Sequence, residues 1–322
     1  MSAAAEAQAV GEGRDKFTWR RLSDFAALIG LVIVFIGLFI ATPNFLTVPN
    51  LTDVLVASSV LAVMALGQQM VVVVGGIDLS MGATLPWCAA ALAVAYAHGV
   101  GLPLAILVSV VAGAVIGLIN GALIALLNLT DFVVTLGTLS IVGGITFLLT
   151  GGNNIQAFAP FLQSLALDGI GPIRWFWLVA VVLSAAVWVF LFRTRPGTHL
   201  LATGGNIDAA RSAGVAVRKW RLLAYIASGA LTGVAGVLFV SRNGGADPTL
   251  QTNLLLSSIA AVVLGGSSLF GGKASVLGTL CGAVLLTSLI NGFTLLNISQ
   301  AYQPIAVGAV VLMAALLARF NR

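Results

Sequence analysis

The chain holds ten runs of predominantly apolar residues, at 25–41, 51–74, 82–97, 103–127, 132–150, 173–192, 222–240, 254–270, 274–296 and 302–320. A bilayer's hydrocarbon core is about 30 Å thick, so a crossing helix needs about 20 apolar residues. Backbone N–H and C=O groups find no water there, which restricts spanning structures to helices and closed barrels. The runs therefore predict an all-α, polytopic membrane protein of about ten transmembrane helices. Two of them, 82–97 and 254–270, are short and flanked by glycine, and are read as candidates for broken or re-entrant segments. The 322 residues, enough for two soluble domains, are used up by one bundle. Residues 1–24 form a polar tail and 25–322 a single transmembrane domain, interrupted by one long polar loop at 193–221.

Composition agrees with that class. The chain is 59% hydrophobic and 8% charged, with a mean hydropathy of +1.09, whereas about a quarter of a soluble domain is charged. A pI of about 9.8 could suggest nucleic acid, but the basic residues flank apolar runs and form no soluble face, so no nucleic-acid partner is expected. Arg14, Lys16, Arg20 and Arg21 lie in the tail, and Arg193, Arg195, Arg211, Arg218, Lys219 and Arg221 in the long loop. With Arg319 and Arg322 at the C-terminus, these account for 12 of the 15 basic residues. Even numbers of runs separate the three groups, so all three fall on one side, the cytoplasmic one by the positive-inside rule. Arg20-Arg21 before an apolar run resembles a secretory signal, but no small-x-small pattern follows, and the first run reads as an uncleaved span. Cys88 and Cys281 sit inside apolar runs as small hydrophobes.

The long loop carries its own helix signal. Asn206 can cap the first N–H groups of Ile207-Asp-Ala-Ala-Arg-Ser-Ala-Gly214, Asp208 falls in the positive first turn, Arg211 lies toward the negative end, and Gly214 can take the left-handed terminating conformation. That predicts a helix of about nine residues in water beside the membrane, with Ala209, Ala210 and Ala213 offering a smooth surface to a partner's groove.

Glycines mark the remaining candidates. Gly113, Gly117 and Gly121, then Gly229 and Gly233, and Gly278 and Gly282, recur at every fourth position, a spacing that lets helices pack closely in lipid or forms the moving interfaces of a transporter. Gly75-Gly76-Ile-Asp78-Leu-Ser80 and Gly265-Gly266-Ser-Ser-Leu-Phe-Gly-Gly272 interrupt apolar segments in the two halves. Such paired breaks either line the functional centre of a transporter or are tight interfacial turns. Asp78 is an ionisable group between apolar runs, which is costly unless paired or wet, or else it caps the helix beginning near Leu79-Ser80. Asp78, Ser80, Asn120, Gly265, Gly266 and Asn291 are the polar or backbone-exposing exceptions in apolar surroundings and the candidates for a solute path.

No Ser-His-Asp grouping, metal-ligand spacing or GxxxxGK[ST] occurs in the chain, so no catalytic residue, metal or cofactor of its own is expected. Four ordered motifs, Gly75-Gly-Ile-Asp-Leu-Ser-Met-Gly82, Phe132-Val-Val-Thr-Leu-Gly-Thr138, Thr203-Gly-Gly-Asn206 with Ala209-Ala-Arg-Ser-Ala-Gly-Val215, and Ala260-Ala-Val-Val-Leu-Gly-Gly-Ser-Ser-Leu-Phe-Gly-Gly272, resemble the permease subunits of bacterial ribose-type ABC sugar importers. The resemblance covers about residues 25–320. It implies an inner-membrane subunit that pairs with a second permease copy, receives a monosaccharide from a periplasmic binding protein, and is driven by a cytoplasmic ATPase that binds the ATP and Mg. It also implies that Gly204, Gly205, Asn206, Asp208, Ala209, Ala210, Arg211 and Gly214 form the ATPase-coupling segment. The glycine breaks and polar exceptions, Gly75, Gly76, Asp78, Ser80, Asn120, Gly265, Gly266 and Asn291, remain the candidates for the translocation pathway. A permease for a branched-chain amino acid or a signal sugar, or an ATP-independent secondary transporter, are the alternatives.

Overall fold

A computed structural model describes residues 26–320, leaving the tail 1–24 with its four basic residues, and Arg322, outside the described residues. The fold is almost wholly helical: α1 (Ala26–Ala41), α2 (Val48–Val73), α3 (Met81–Ala97), α4 (Leu102–Ala125), α5 (Asp131–Thr150), α6 (Pro160–Leu167), α7 (Trp175–Arg193), α8 (Arg195–Gly205), α9 (Ile207–Ser212), α10 (Val217–Asn243), α11 (Thr252–Leu264), α12 (Val276–Leu295) and α13 (Gln303–Phe320). A helix occupies each of the ten apolar runs, the one in 254–270 ending at Leu264. Among the described residues six helices, α2, α4, α5, α7, α10 and α12, are long and apolar enough to cross a membrane, while α3 and α11 and the part of α1 from Leu28 are shorter apolar helices.

The helix α2 is the mast of the bundle. Its most apolar window is 89% buried, against 22% for α4 and α5. Pro49 fits its first turn, where no intrahelical N–H is needed. Close packing of α4 on α10 confirms the use of the glycine spacing: a Cβ on Gly113 would overlap the carbonyl oxygen of Gly229, and one on Gly229 would overlap that of Gly113. Ser109 Oγ adds a hydrogen bond to Gly233 O at 3.0 Å. Lipid offers apolar helices no hydrophobic drive to associate, so this approach of backbones supplies the attraction.

The two ends of the bundle differ. At one end the short strands β1 (Ile155–Gln156) and β4 (Gly245–Ala246) pair antiparallel, and β2 (Gly169–Ile170) and β3 (Ile173–Arg174) form a hairpin. Asn50 and Asn291 join α2 to α12 there by reciprocal amide bonds of 3.1 and 2.9 Å. At the opposite, basic end lie α8, α9 and the two glycine breaks.

Two sequence expectations are corrected here. The long polar loop is 194–216 and not 193–221, because α7 runs through Arg193 and α10 begins at Val217. It holds two helices, since Thr194 accepts from Gly197 N at 3.3 Å and Pro196 fits the first turn, starting α8 where a plain loop was expected.

Candidate functional site

The solvent-facing helix is shorter than its sequence suggested, six residues against about nine, because its flanking residues serve as caps. Asn206 Oδ1 accepts from Asp208 N at 3.1 Å and Ala209 N at 2.9 Å. Gly214, at φ +80°, closes the other end: Val215 N donates to Ala210 O at 2.9 Å and Gly214 N to Arg211 O at 3.0 Å, the Schellman pattern. Asp208 and Arg211 form an exposed pair at 3.7 Å that fixes little by itself. Ile207, Asp208, Ala209 and Ala213 are exposed, but Ala210 is buried, 5% exposed, against the protein itself. The three alanines therefore do not form one outward surface.

Both breaks end their helices with the same device. Gly75 sits at φ +78° with Gly76 N donating to Val71 O and Gly75 N to Val72 O, and Gly266 at φ +86° with Ser267 N donating to Val262 O and Gly266 N to Val263 O. A residue with a Cβ avoids this left-handed conformation, which explains the glycine at each break. Gly265, one position earlier, has a different reason: a Cβ there would run into Gly278 and Thr279 N of α12.

Beyond Gly75 the chain turns into a buried polar network. Asp78 Oδ1 accepts from Ser80 N at 3.0 Å and Ser80 Oγ at 2.6 Å, and Oδ2 from Ser228 Oγ of α10 at 3.3 Å. Asn120 of α4 donates to Ser80 Oγ at 2.9 Å and accepts from Thr138 Oγ1 of α5 at 2.6 Å. From α2, Gln68 meets the backbone of Asp78 twice, donating to its O at 3.1 Å and accepting from its N at 3.3 Å, with the amide oriented by that pairing. Asp131, at the start of α5, accepts Ile77 N at 2.8 Å. Asp78, Ser80 and Asn120 are 0–2% exposed. Asp78, Ser80 and Asn120 thus each find partners, supplied from α2, α4, α5 and α10, as most buried polar groups do.

The structure brings Gly75, Gly76, Asp78, Ser80 and Asn120 together, and sets Gly204 against Val73, just before the first break, and Gly204 and Gly205 against the second break. Asn291 is not among them: it lies at the far end, paired with Asn50. Gly204 and Gly205 belong to the last turn of α8 and precede the capped helix. Sequence reasoning missed Asp131, whose signal was an acidic residue opening a helix after Thr130, and Ser228 and Tyr225, which carry no local signal. The Tyr225 hydroxyl lies over Gly76, where a Cβ would come within 2.7 Å of it.

The family described as "Branched-chain amino acid transport system / permease component" matches residues 50–317. The chain is similar to the ribose import permease protein RbsC of Escherichia coli (strain K12), 36% identical over 313 residues, covering 95% of this chain and 96% of the relative. It is also similar to the autoinducer 2 import system permease protein LsrC of Salmonella typhi, 37% identical over 289 residues, covering 89% of this chain and 82% of the relative. No solved structure matches.

Proposed function

The chain belongs to the branched-chain amino acid transport system / permease component family, and on that premise we propose that it forms the translocation pathway of an ATP-binding-cassette importer for a small sugar. It works with a second permease copy, a periplasmic binding protein and a cytoplasmic ATPase that binds ATP and Mg. Similarity to a ribose import permease across nearly the whole of both chains supports the solute class. Similarity to an autoinducer 2 permease keeps that signal molecule as the second solute.

The observation that carries the coupling role is α9. A six-residue helix closed at both ends by its own caps, with Ile207, Asp208 and Ala209 exposed, has the form of a rigid projection offered to a partner. In this reading Gly204, Gly205, Asn206, Asp208, Ala209, Arg211 and Gly214 build and present the lever, and Ala210 seats it on the permease. Gly75, Gly76, Asp78, Ser80, Asn120, Gly265 and Gly266 form or back the surfaces facing the solute between two copies. Asn291 stands near the outer mouth.

Ten crossings, with both termini cytoplasmic, complete the proposal. Two groupings support the alternation it requires: the pairing of β1 with β4 gathers the connections before α7 and after α10 at one end, and the convergence of residues 75, 204 and 271 gathers three others at the opposite end. Purifying the chain with its ATPase and binding protein, and measuring ATP hydrolysis with ribose, other pentoses, hexoses, autoinducer 2 or leucine, tests the function. Stimulation by a sugar supports it, and stimulation by leucine alone contradicts the solute assignment.

A further inference from the structure

We propose that Gly204 is a positioning residue through which movement of α9 reaches both glycine breaks together, an inference that rests on the coupling role above. Three chain segments meet at this glycine, backbone against backbone. A Cβ on Gly204 would overlap the carbonyl oxygen of Val73 and come within 2.7 Å of Gly272 N. One on Gly271 would lie 2.6 Å from Gly204 O and 2.9 Å from Gly75 N, and one on Gly272 would lie 2.5 Å from Gly205 Cα. Gly272 N donates to Val73 O at 2.9 Å, tying the second break to the end of α2. The end of α8 therefore abuts both the end of α2, two residues before the first break, and the second break, with no side chain intervening.

That absence of side chains has a mechanical consequence. Contacts between side chains absorb a displacement by changing rotamer, but abutting backbones have no such freedom, and interiors this dense transmit strain. Neighbouring residues of α2 add a tie to each break. Gln68 holds Asp78 by its N–H and its carbonyl, while Gln69 Nε2 donates to Ser267 Oγ at 3.1 Å. Asn206, which caps α9, follows Gly205 directly, so no flexible linker separates the lever from this junction. Force on α9 is delivered at once to Asp78–Ser80 and to Ser267–Gly272.

The test uses the whole importer in liposomes, with ATPase retention, ATP hydrolysis and uptake measured on the same preparation. Gly204→Ala forces the three segments apart, whereas Gly37→Ala, where a Cβ meets nothing within 4 Å, makes the same chemical change in open space. The expected result is that Gly204→Ala keeps its ATPase and continues to hydrolyse ATP, while uptake per ATP falls by about tenfold or more, within the usual range of coupling between sites. Gly37→Ala should leave that ratio unchanged. An unchanged ratio in Gly204→Ala overturns the junction. Failure of the unsubstituted chain to bind the ATPase overturns instead the coupling role beneath it.

If Gly204→Ala does not fold, spin labels decide the matter in the chain with its native glycines. Ala202 on α8 and Phe270 in the second break are both exposed, and can carry labels in a Cys281→Ala background. Their separation should stay the same between nucleotide-free and ATP-trapped complexes, because the two segments move as one body. A change of about 5 Å, one helical turn, overturns the proposal.

Discussion

Asn120 and Ser80 share a hydrogen bond of 2.9 Å across 40 positions of sequence, and Asn120 in turn receives Thr138 Oγ1 at 2.6 Å. One amide thus uses both its ends to join α4 and α5 to the chain just past the first break. Asn120→Leu keeps the size of the side chain but leaves the Thr138 hydroxyl without its acceptor in a dry site. It should lower stability by about 1–3 kcal/mol, the usual cost of an orphaned buried polar group. Unfolding of the detergent-solubilised protein checks this, and an unchanged midpoint contradicts it.

Asp78 separates a structural role from a role for charge. Its three donors are neutral, and an asparagine in its place keeps the oxygen that receives Ser80 N and Ser80 Oγ, while the Ser228 hydroxyl can turn to accept. Asp78→Asn should therefore insert and fold nearly as the parent does, whereas Asp78→Ala should be markedly destabilised. Comparing folded yield and thermal stability of the two variants gives the answer. Equal damage in both would mean that the negative charge itself is required.

Tyr225 places a buried hydroxyl, with no hydrogen-bond partner among the described residues, directly over Gly76. Removing it in Tyr225→Phe should cost little or even stabilise, because no bond is lost. Gly76→Ala should destabilise, by about 1–3 kcal/mol, as an overpacked site does. The double variant should then recover part of that loss, a coupling that a double-mutant cycle measures. Strict additivity would show that the hydroxyl is not the obstacle.

On the lever, neighbouring alanines should behave differently. Ala209 is exposed, so Ala209→Trp should leave insertion and stability intact yet reduce recovery of the ATPase with the permease. Ala210 is buried, so Ala210→Trp should first destabilise α9 itself. Gly214→Val forces a β-branched residue to φ +80° and should cost roughly 1–2 kcal/mol at the helix end. Co-purification of the ATPase beside thermal unfolding resolves all three, and full ATPase recovery with Ala209→Trp would mean that this face is not a docking surface.

What was legible in the chain followed from local chemistry. The apolar runs hold helices because each stays apolar over several turns, the run 254–270 only as far as Leu264, before its glycine break, and Asn206 and Gly214 cap α9 because such residues do so within a few positions of themselves. Less legible was α8: Thr194 and Pro196 mark its start, but only Leu200, Leu201 and Ala202 are apolar in it, among polar residues and glycines. The nine-residue reading of α9 counted the caps as helix. The meeting of Gly75, Gly204 and Gly271 and the pairing of Asn50 with Asn291 depend on contacts between distant segments, and nothing in either neighbourhood announces the other. Asn291 consequently read as a companion of Asp78 although it lies at the opposite end of the bundle.

The central claim is that solute crosses only when a separate ATPase drives this chain through α9, and uptake by liposomes tests it most directly. The purified permease, reconstituted with ATPase and binding protein, should accumulate labelled ribose or the sugar found to stimulate hydrolysis when ATP is supplied to the ATPase side, and should accumulate none without ATP. Flux through the permease alone, undiminished when both partners and ATP are left out, would contradict it.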